Sequence, residues 1–293
     1  MTEGPDLATL GVRARSVRPI GGGDTCRAWR AELVDGSSAF VKRTPAGAVG
    51  MADLEAAGLT WLARSGAATP EVLAVGPDVL VLRWVDASSP SRAAAAACGQ
   101  MLARLHQTTT PTFGVAPPGA GNPAFGWVGK VRVPFGEHES WPEHYVQDRL
   151  QPALAAATAN GGVDSRMAAA SDDLCDALLR HPEVAGPAVA PAPIHGDLWS
   201  GNVMWQSEGT LLIDPAACGG HPETDLAMLH RFGAPHLVGI IASYSATRPL
   251  PSDWVRRLPL HQVFPLLVHA AMFGLGYGEQ AAQAARAAVA VRS

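Results

Sequence analysis

The sequence predicts an α+β fold with two lobes, a small antiparallel sheet followed by a larger, mainly helical part. Short apolar runs separated by glycine and proline fill residues 12–85, whereas alanine-rich and helix-periodic segments fill most of the rest. A Ser/Pro cluster at 88–91 separates the two regions. We therefore expect an N-terminal lobe, residues 1–86, and a C-terminal lobe, residues 87–293.

The predicted N-terminal lobe is a sheet interrupted by one helix. Its strand-like runs are residues 39–41, 72–75 and 79–85. Apolar residues in helical register fill the segment Met51–Arg64, which Gly66 and Pro70 close. A glycine cluster at 21–23 comes before the strand that ends in Lys42.

The predicted C-terminal lobe is helical apart from one strand-like segment, Asn202–Ala216, and a Pro/Ala-rich loop at 182–193. An alanine-rich segment reaching His106 opens the lobe. The further helices are expected at Trp141–Ala159, Ser165–His181, Thr224–Phe232, Pro235–Ser245 and Val263–Val291.

Composition excludes several classes of partner. With 47% hydrophobic and 16% charged residues, the 293-residue chain can bury a large core. Its net charge of −4 and lack of a Lys/Arg-rich run argue against nucleic-acid or acidic-membrane binding. No signal peptide or membrane span is expected. Four dispersed cysteines (Cys26, Cys98, Cys175, Cys218) favour a reducing cytoplasm over a zinc cluster or a disulfide framework.

The most informative motif is H-G-D-L-W-S-G-N at 195–202, followed by L-L-I-D-P-A at 211–216. Asp197 and Asn202 are separated as in the Asp-x-x-x-x-Asn catalytic loop of protein kinases, and Asp214 follows where a metal-binding aspartate would close a hairpin. Phosphoryl transfer requires a carboxylate that accepts the proton of the attacking hydroxyl and oxygen ligands that hold Mg²⁺. We assign the first role to Asp197 and the second to Asn202 and Asp214. The alternative is a pair of ordinary turns, which the same residue types favour.

Residues upstream fit an ATP site, so we expect residues 1–86 to be the nucleotide-binding lobe and residues 87–293 the lobe for catalysis and substrate binding. Gly21, Gly22 and Gly23 are expected to cover the phosphates of ATP. The alternative is an ordinary tight turn, in which glycine runs are also common. Lys42 at a strand end and Glu55 in the following helix match a phosphate-binding lysine and the glutamate that fixes it. The alternative is two solvated surface charges, but the chain has only two lysines among its 22 basic residues, which makes this one informative. The backbone of Arg83, Trp84 and Val85 is expected to meet the adenine.

Four further residues complete the predicted site. His195 is expected to orient the catalytic loop, and Asp225 to anchor it from a helix. Trp199 either stacks on the substrate or packs in the core. Cys26, beside the glycine cluster, is expected to be an inert thiol.

These motifs together resemble the fructosamine kinase (ketosamine-3-kinase) family, a branch of the aminoglycoside phosphotransferase and choline kinase group with a protein-kinase-like fold. The Trp of H-G-D-L-W separates this family from its aminoglycoside-modifying relatives. The resemblance covers nearly the whole chain and includes G-G-G-D at 21–24, F-V-K at 40–42, E-A-A-G-L at 55–59, W-P-E-H-Y-V-Q-D-R-L-Q-P at 141–152, I-D-P-A-A-C-G-G-H-P-E-T-D-L-A-M-L at 213–229 and P-L-L-V-H-A-A-M-F-G-L-G-Y at 265–277.

The resemblance implies transfer of the ATP γ-phosphoryl group, with Mg²⁺, to a hydroxyl of a ketoamine sugar on a free amine or a protein lysine. The acceptor is typically O3, and phosphorylation makes the adduct unstable, which is a deglycation repair. Family roles then coincide with Asp197 as base, Asn202 and Asp214 as metal ligands, and Lys42 as phosphate ligand.

Two departures from the family pattern concern the acceptor. Where the family reads G-H-R-E-A-D-L-A, Pro222 replaces the arginine, and the segment V-G-K-V-R-V-P-F-G at 128–136 is atypical. A kinase for an aminoglycoside, an amino sugar or a choline-like alcohol is therefore an alternative. A second alternative is a pseudokinase that only binds nucleotide or a partner.

Overall fold

The computed structural model describes residues 4–21 and 26–290. Its N-terminal part is a five-stranded antiparallel sheet with the strand order β1-β2-β3-β5-β4. Helix α1, Met51–Arg64, connects β3 to β4 and has the predicted bounds. The strands are β1 (Ala14–Ile20), β2 (Arg27–Leu33), β3 (Ser38–Arg43), β4 (Val72–Val75) and β5 (Val79–Arg83).

Both faces of this sheet are covered, because side chains alternate along each strand. Trp29, Val41 and Val81 pack in the core on one face. On the other face, Leu80 and Leu82 pack against α1. The register places Lys42 opposite Leu80, so the lysine lies on the face that α1 covers. The lobe boundary predicted near residue 87 follows the end of β5 and stays a prediction.

The C-terminal part is mainly helical, with one large core around α4, α5, α8 and α9 and a second core around α2 and α7. Side-chain caps begin two of its helices: Ser91 Oγ accepts from the Ala94 amide at 3.0 Å, and Asp164 Oδ1 accepts from the Met167 amide at 2.8 Å. The helices are α2 (Arg92–Leu105), α3 (Trp141–His144), α4 (Gln151–Ala159), α5 (Ser165–Arg180), α6 (Pro222–Phe232), α7 (Leu237–Thr247), α8 (Leu258–Phe273) and α9 (Leu275–Ala290).

The predicted helix Trp141–Ala159 includes a π-helical segment, Tyr145–Leu150, between α3 and α4. Pro152 accounts for it, because proline lacks the N–H that would bond to the carbonyl of Asp148 four residues earlier. The Arg149 Nη1 atom donates to that carbonyl oxygen instead, at 3.0 Å. The hydrogen-bond spacing along the helix widens here, and the Gln151 N–H donates to the carbonyl oxygen of Val146, five residues earlier.

The prediction of a single strand-like segment after residue 87 was wrong. A hairpin of β9 and β10 lies inside the predicted segment, but four further short strands form two more pairs, β6–β7 and β8–β11. Three or four residues are too few to show an alternating pattern, and β11 reads Cys-Gly-Gly. These strands are β6 (Phe125–Val128), β7 (Val131–Pro134), β8 (Ala192–Ile194), β9 (Val203–Trp205), β10 (Thr210–Leu212) and β11 (Cys218–Gly220).

The prediction of one continuous C-terminal helix, Val263–Val291, was also wrong. The chain forms α8 and α9 with a break at Gly274, which has φ +97°. A glycine in that conformation ends a helix at no steric cost. Within the described residues, no helix combines the length and apolar composition needed to cross a bilayer.

Helices α2 and α7 approach closely at Gly99, where a Cβ atom would overlap the carbonyl oxygen of Ile240 and lie 2.9 Å from the Tyr244 amide nitrogen. We expect Gly99→Ala to lower the free energy of unfolding by about 1–3 kcal/mol, because backbone on both sides must move. The matched control is Gly239→Ala in α7, where the new Cβ meets only Ala95 at 4.0 Å. That variant should gain about 0.5–1 kcal/mol. Urea unfolding measures both, and equal effects would contradict this account of the packing.

Candidate active site

Lys42 lies between two carboxylates that come from different parts of the chain. Its Nζ atom is 2.8 Å from Oε2 of Glu55 in α1 and 3.0 Å from Oδ1 of Asp214, which follows β10. The Lys42 and Glu55 side chains are 11% and 7% exposed, so this ion pair is shielded from water. Burial opposes the charge of Lys42, but Glu55 and Asp214 together raise the pKa of the ammonium above its usual value.

Asp214 is held in an unusual backbone conformation. It has φ +53°, a left-handed geometry that few residues other than glycine adopt. Two of the three residues that follow it, Pro215 and Ala217, pack against α1, since a Cβ on Gly58 would lie 3.4 Å from Pro215 Cγ and 3.3 Å from Ala217 Cβ. The carboxylate is thereby directed toward Lys42.

The predicted catalytic loop is organised by His195. Its Nε2–H donates to the carbonyl of Ile213 at 2.9 Å, and its Nδ1 accepts from the Asp197 amide at 3.2 Å. Burial lowers the pKa of His195, so the neutral imidazole performs both functions. Gly196 has φ +78°, and a Cβ there would overlap the carbonyl oxygen of Ala216, so only glycine fits between the two segments.

Asp197 and Asn202 are in direct contact across this loop. The Asn202 Nδ2 donates to the Asp197 carbonyl at 2.8 Å and to its carboxylate Oδ2 at 3.2 Å. The amide is thus oriented with Oδ1 facing away from Asp197. Burial raises the pKa of Asp197 to about 7, and the Asp214 carboxylate adds to the rise, so the four residues Lys42, Asp197, Asn202 and Asp214 form one electrostatic unit.

Asp225, at the start of α6, fixes the backbone of the predicted catalytic loop. Its carboxylate accepts from the amides of His195 at 2.8 Å and Gly196 at 3.0 Å. His106 at the end of α2 contacts the same carboxylate at 3.2 Å and the Tyr244 hydroxyl at 3.0 Å. Burial opposes the Asp225 charge, but the contact with His106 and the His195 amide holds the pKa of this carboxyl below its usual value. Sequence reasoning missed His106 and Tyr244, because a single histidine at a helix end carries no spacing signal.

Asn202 Oδ1 and the Asp214 carboxylate form a donor set that suits Mg²⁺, which prefers amide and carboxylate oxygens and retains several waters. Asp214 is 43% exposed, which leaves room for those waters. Three carboxylates, those of Glu55, Asp197 and Asp214, surround a single ammonium, and a cation would balance the excess negative charge.

The other residues predicted to contact ATP belong to the glycine cluster at 21–23 and to the segment 83–85. Gly21 directly follows β1 and is described, whereas Gly22 and Gly23 lie outside the described residues. Arg83 ends β5, with its guanidinium paired to Glu71 at 3.1 Å. The Trp84 amide donates to the Ser38 carbonyl at 3.0 Å, which continues the sheet toward Val85.

Trp199 and Cys26 differ in exposure. The Trp199 ring lies over Gly201 and is 43% exposed, so it does not pack in the core and can meet a substrate. Cys26 is half-buried, and burial raises the pKa of its thiol, as an unreactive cysteine requires.

Comparison with known proteins identifies the family. The family model described as fructosamine kinase matches residues 7–290. The chain belongs to the fructosamine kinase family. It is accordingly a kinase that transfers a phosphoryl group to a hydroxyl, as the motifs predicted, and its fructosamine kinase relatives cover nearly all of it.

A protein named probable ketoamine kinase from Thermus thermophilus is 32% identical over 260 residues, 88% of each chain. A crystal structure from Thermobifida fusca, described as a candidate fructosamine-3-kinase, is 37% identical, covers 98% of this chain and 97% of its own, and has a TM-score of 0.88. The ternary complex of a thermostable mutant of aminoglycoside phosphotransferase APH(4)-Ia is 14% identical with a TM-score of 0.64 and covers 96% and 95%. The predicted protein-kinase-like fold is confirmed.

The Asp225 anchor of this fructosamine kinase family member gives a direct test. In Asp225→Asn the side chain keeps its shape but has one acceptor oxygen for two amides, so one buried N–H loses its partner. We expect the free energy of unfolding to fall by about 1–3 kcal/mol and phosphoryl transfer to slow.

The matched control is Asp173→Asn on the exposed face of α5, which should change neither quantity measurably. Urea unfolding and ADP release measure the two effects. Unchanged stability in Asp225→Asn would contradict the anchoring role.

Proposed function

We propose that this chain is an ATP- and Mg²⁺-dependent ketoamine kinase that phosphorylates a sugar hydroxyl, O3, of a fructosamine- or ribulosamine-type adduct. The observation that carries the proposal is the convergence of Lys42, Asp214 and the Asp197–Asn202 pair at one point. Positioning and charge stabilisation are most of what phosphoryl transfer requires from a protein.

The names of the relatives support the acceptor class. The Thermus thermophilus protein is named a probable ketoamine kinase, and the Thermobifida fusca protein is described as a candidate fructosamine-3-kinase. Both align with more than four-fifths of this chain, which supports the same acceptor class for it. The APH(4)-Ia complex contains AMP-PNP and hygromycin B, which supports ATP as the donor for this fold.

In this proposal the N-terminal part binds the donor. Lys42 contacts the phosphates of ATP, and Glu55 holds its ammonium in place. The glycine segment that begins at Gly21 covers the phosphates, and the backbone of residues 83–85 meets the adenine. Asn202 and Asp214 hold Mg²⁺, which supplies positive charge against the phosphate oxygens.

Asp197 orients the acceptor hydroxyl and takes its proton as the oxygen attacks the γ-phosphorus. Its raised pKa of about 7 is near the working pH, where a general base is most effective. The amide of Asn202 holds the carboxylate in position during this step. His195 and Asp225 do not touch the acceptor and act by fixing the loop backbone.

Trp199 is the proposed contact for the sugar. Its indole, two residues after Asp197 in the same loop, is exposed and rests on Gly201, which gives a fixed aromatic surface for the apolar face of a pyranose or furanose ring. The product, a 3-phosphorylated ketoamine, is unstable, so the proposed cellular role is deglycation repair in the cytoplasm.

The direct test follows ADP release with Mg-ATP and a panel of ribulosamine, fructosamine, amino-sugar and aminoglycoside acceptors. We expect release with the ketoamines, and we expect Asp197→Asn to reduce the rate by about 10²–10⁴-fold, because a positioned general base contributes that much. Asp173→Asn serves as the control with unchanged activity.

Three results would contradict parts of the proposal. Release only with an aminoglycoside or amino sugar would retain the kinase and replace the acceptor class. Release that persists in Asp197→Asn would remove the base assignment. ATP binding without transfer to any acceptor would favour the pseudokinase alternative.

A further inference from the structure

Two histidine side chains outside the proposed active site converge on one carboxylate oxygen, which belongs to Asp148. Oδ2 of Asp148 lies 2.9 Å from Nδ1 of His144 and 3.0 Å from Nε2 of His138. The three atoms lie within 4.8 Å of one another. His144 and Asp148 are nearly buried, whereas the His138 side chain is 15% exposed. Two imidazoles and a carboxylate are ligands that zinc binds in proteins.

The backbone holds these three residues in place independently of their side chains. Phe113 and His138 exchange two backbone hydrogen bonds, of 2.9 and 3.1 Å, which fixes the loop before α3. Asp148 lies within the π-helical segment that Pro152 imposes. π-Helical turns occur frequently at functional sites. The Phe113 ring also stacks on His144, with centroids 6.5 Å apart and an interplanar angle of 20°.

Gly114 and Gly136 lie so close to the converging atoms that a side chain at either position would collide with them. A Cβ on Gly136 would lie 2.6 Å from Asp148 Oδ2 and would overlap the His138 ring, although the backbone of Gly136 does not have a positive φ. A Cβ on Gly114 would lie 2.8 Å from both Asp148 Oδ2 and His144 Nδ1. Glycine at 136 is therefore required by the close approach of the ligand atoms.

The protonation states match those of metal ligands. Burial lowers the pKa of His144 to about 4, and the charge of Arg149 adds to the effect, so the imidazole is neutral at pH 7. Burial opposes ionisation of Asp148, but His144 holds the pKa of that carboxyl below its usual value. A neutral imidazole and an ionised carboxylate need lose no side-chain charge to bind a cation.

A second cluster of similar composition differs in one decisive respect. His221, Glu223 and His261 also lie close together. There Arg257 donates to both Glu223 oxygens, at 2.9 and 2.7 Å, and a guanidinium in that position excludes a cation. In the first cluster the Arg149 Nη1 instead donates to two carbonyl oxygens, those of Pro134 and Asp148.

We propose that His138, His144 and Asp148 bind one Zn²⁺ ion, with water as the fourth ligand. Ligand atoms on tetrahedral zinc, about 2.0–2.2 Å from the metal, lie about 3.3 Å apart, so the distances from Asp148 Oδ2 to the two imidazole nitrogens, 3.0 and 2.9 Å, need to widen by only a few tenths of an ångström. The exposed edge of His138 provides the entry path.

The ion would act on the structure between this site and the catalytic loop. The Gly114 amide donates to the Gly219 carbonyl at 2.7 Å, and Gly219 lies in β11. β11 pairs with β8, which ends immediately before His195. Zinc would therefore join the loop at His138 to the helical segment that carries His144 and Asp148. The backbone pairing of His138 with Phe113 would extend this support to the strand pair β8–β11, from which the catalytic loop begins.

The test is titration of the metal-free, full-length chain with ZnCl₂ by calorimetry, together with the melting temperature with and without zinc. Co²⁺ substitution reports coordination through its visible ligand-field absorption. We expect one equivalent to bind with micromolar or tighter affinity, to raise the melting temperature and to give the spectrum of a low-coordinate site.

The deciding variant is His138→Ala, chosen because His138 is the most exposed of the three ligands and its loss leaves the core intact. It should weaken zinc binding more than about tenfold, since even outer-shell changes cost that much. The control, His181→Ala at an exposed position after α5, should bind as the wild type does. Circular dichroism verifies that both fold.

Binding that is equally tight in His138→Ala would place the zinc elsewhere, such as at Asp214 or Cys26, and would overturn the proposal. Failure of the wild-type chain to bind one equivalent would also overturn it.

Discussion

A buried ammonium requires opposite charge close by, because the cost of removing it from water is several kcal/mol. Lys42 meets this requirement with two carboxylates, at 2.8 and 3.0 Å, one from α1 and one from the segment after β10. The charge of Lys42 thus holds together strand β3, helix α1 and the segment after β10. Loss of Lys42 would leave the buried Glu55 carboxylate without its partner, and breaking a buried ion pair in this way typically costs about 3–5 kcal/mol. In the proposed function, this charge also contacts the phosphates of ATP.

Below this ion pair, a second constraint fixes the catalytic loop. The Asp225 carboxylate accepts from two consecutive backbone amides, and His195 spans from the Asp197 amide to the Ile213 carbonyl. The loop is therefore held through its backbone, and in the proposed function this keeps the side chains of Asp197 and Asn202 directed at the reacting groups. Gly196 permits this arrangement because no side chain fits against Ala216.

Much of this could be predicted from spacing, because a catalytic loop and a metal-binding hairpin require fixed separations along the chain. Helix α1 was predicted at its observed bounds from periodicity and its closing glycine. Strands β8 and β11 could not be predicted, since they are three residues long and pair across 23 intervening residues. The contact of His106 with Asp225 joins residues 119 apart, and that of His138 with Asp148 depends on a π-helical turn that proline imposes. Tertiary contacts of this kind leave no local pattern.

We infer that Glu55 acts on nucleotide binding only through Lys42. Calorimetric measurement of MgATP affinity in the wild type, Lys42→Met, Glu55→Gln and the double variant tests it most directly. The account predicts that each single change weakens binding by at least about tenfold, as loss of a charged hydrogen bond does, and that adding Glu55→Gln to Lys42→Met has no further effect. Independent, additive losses, or a Lys42→Met variant that binds MgATP as tightly as the wild type, would contradict it.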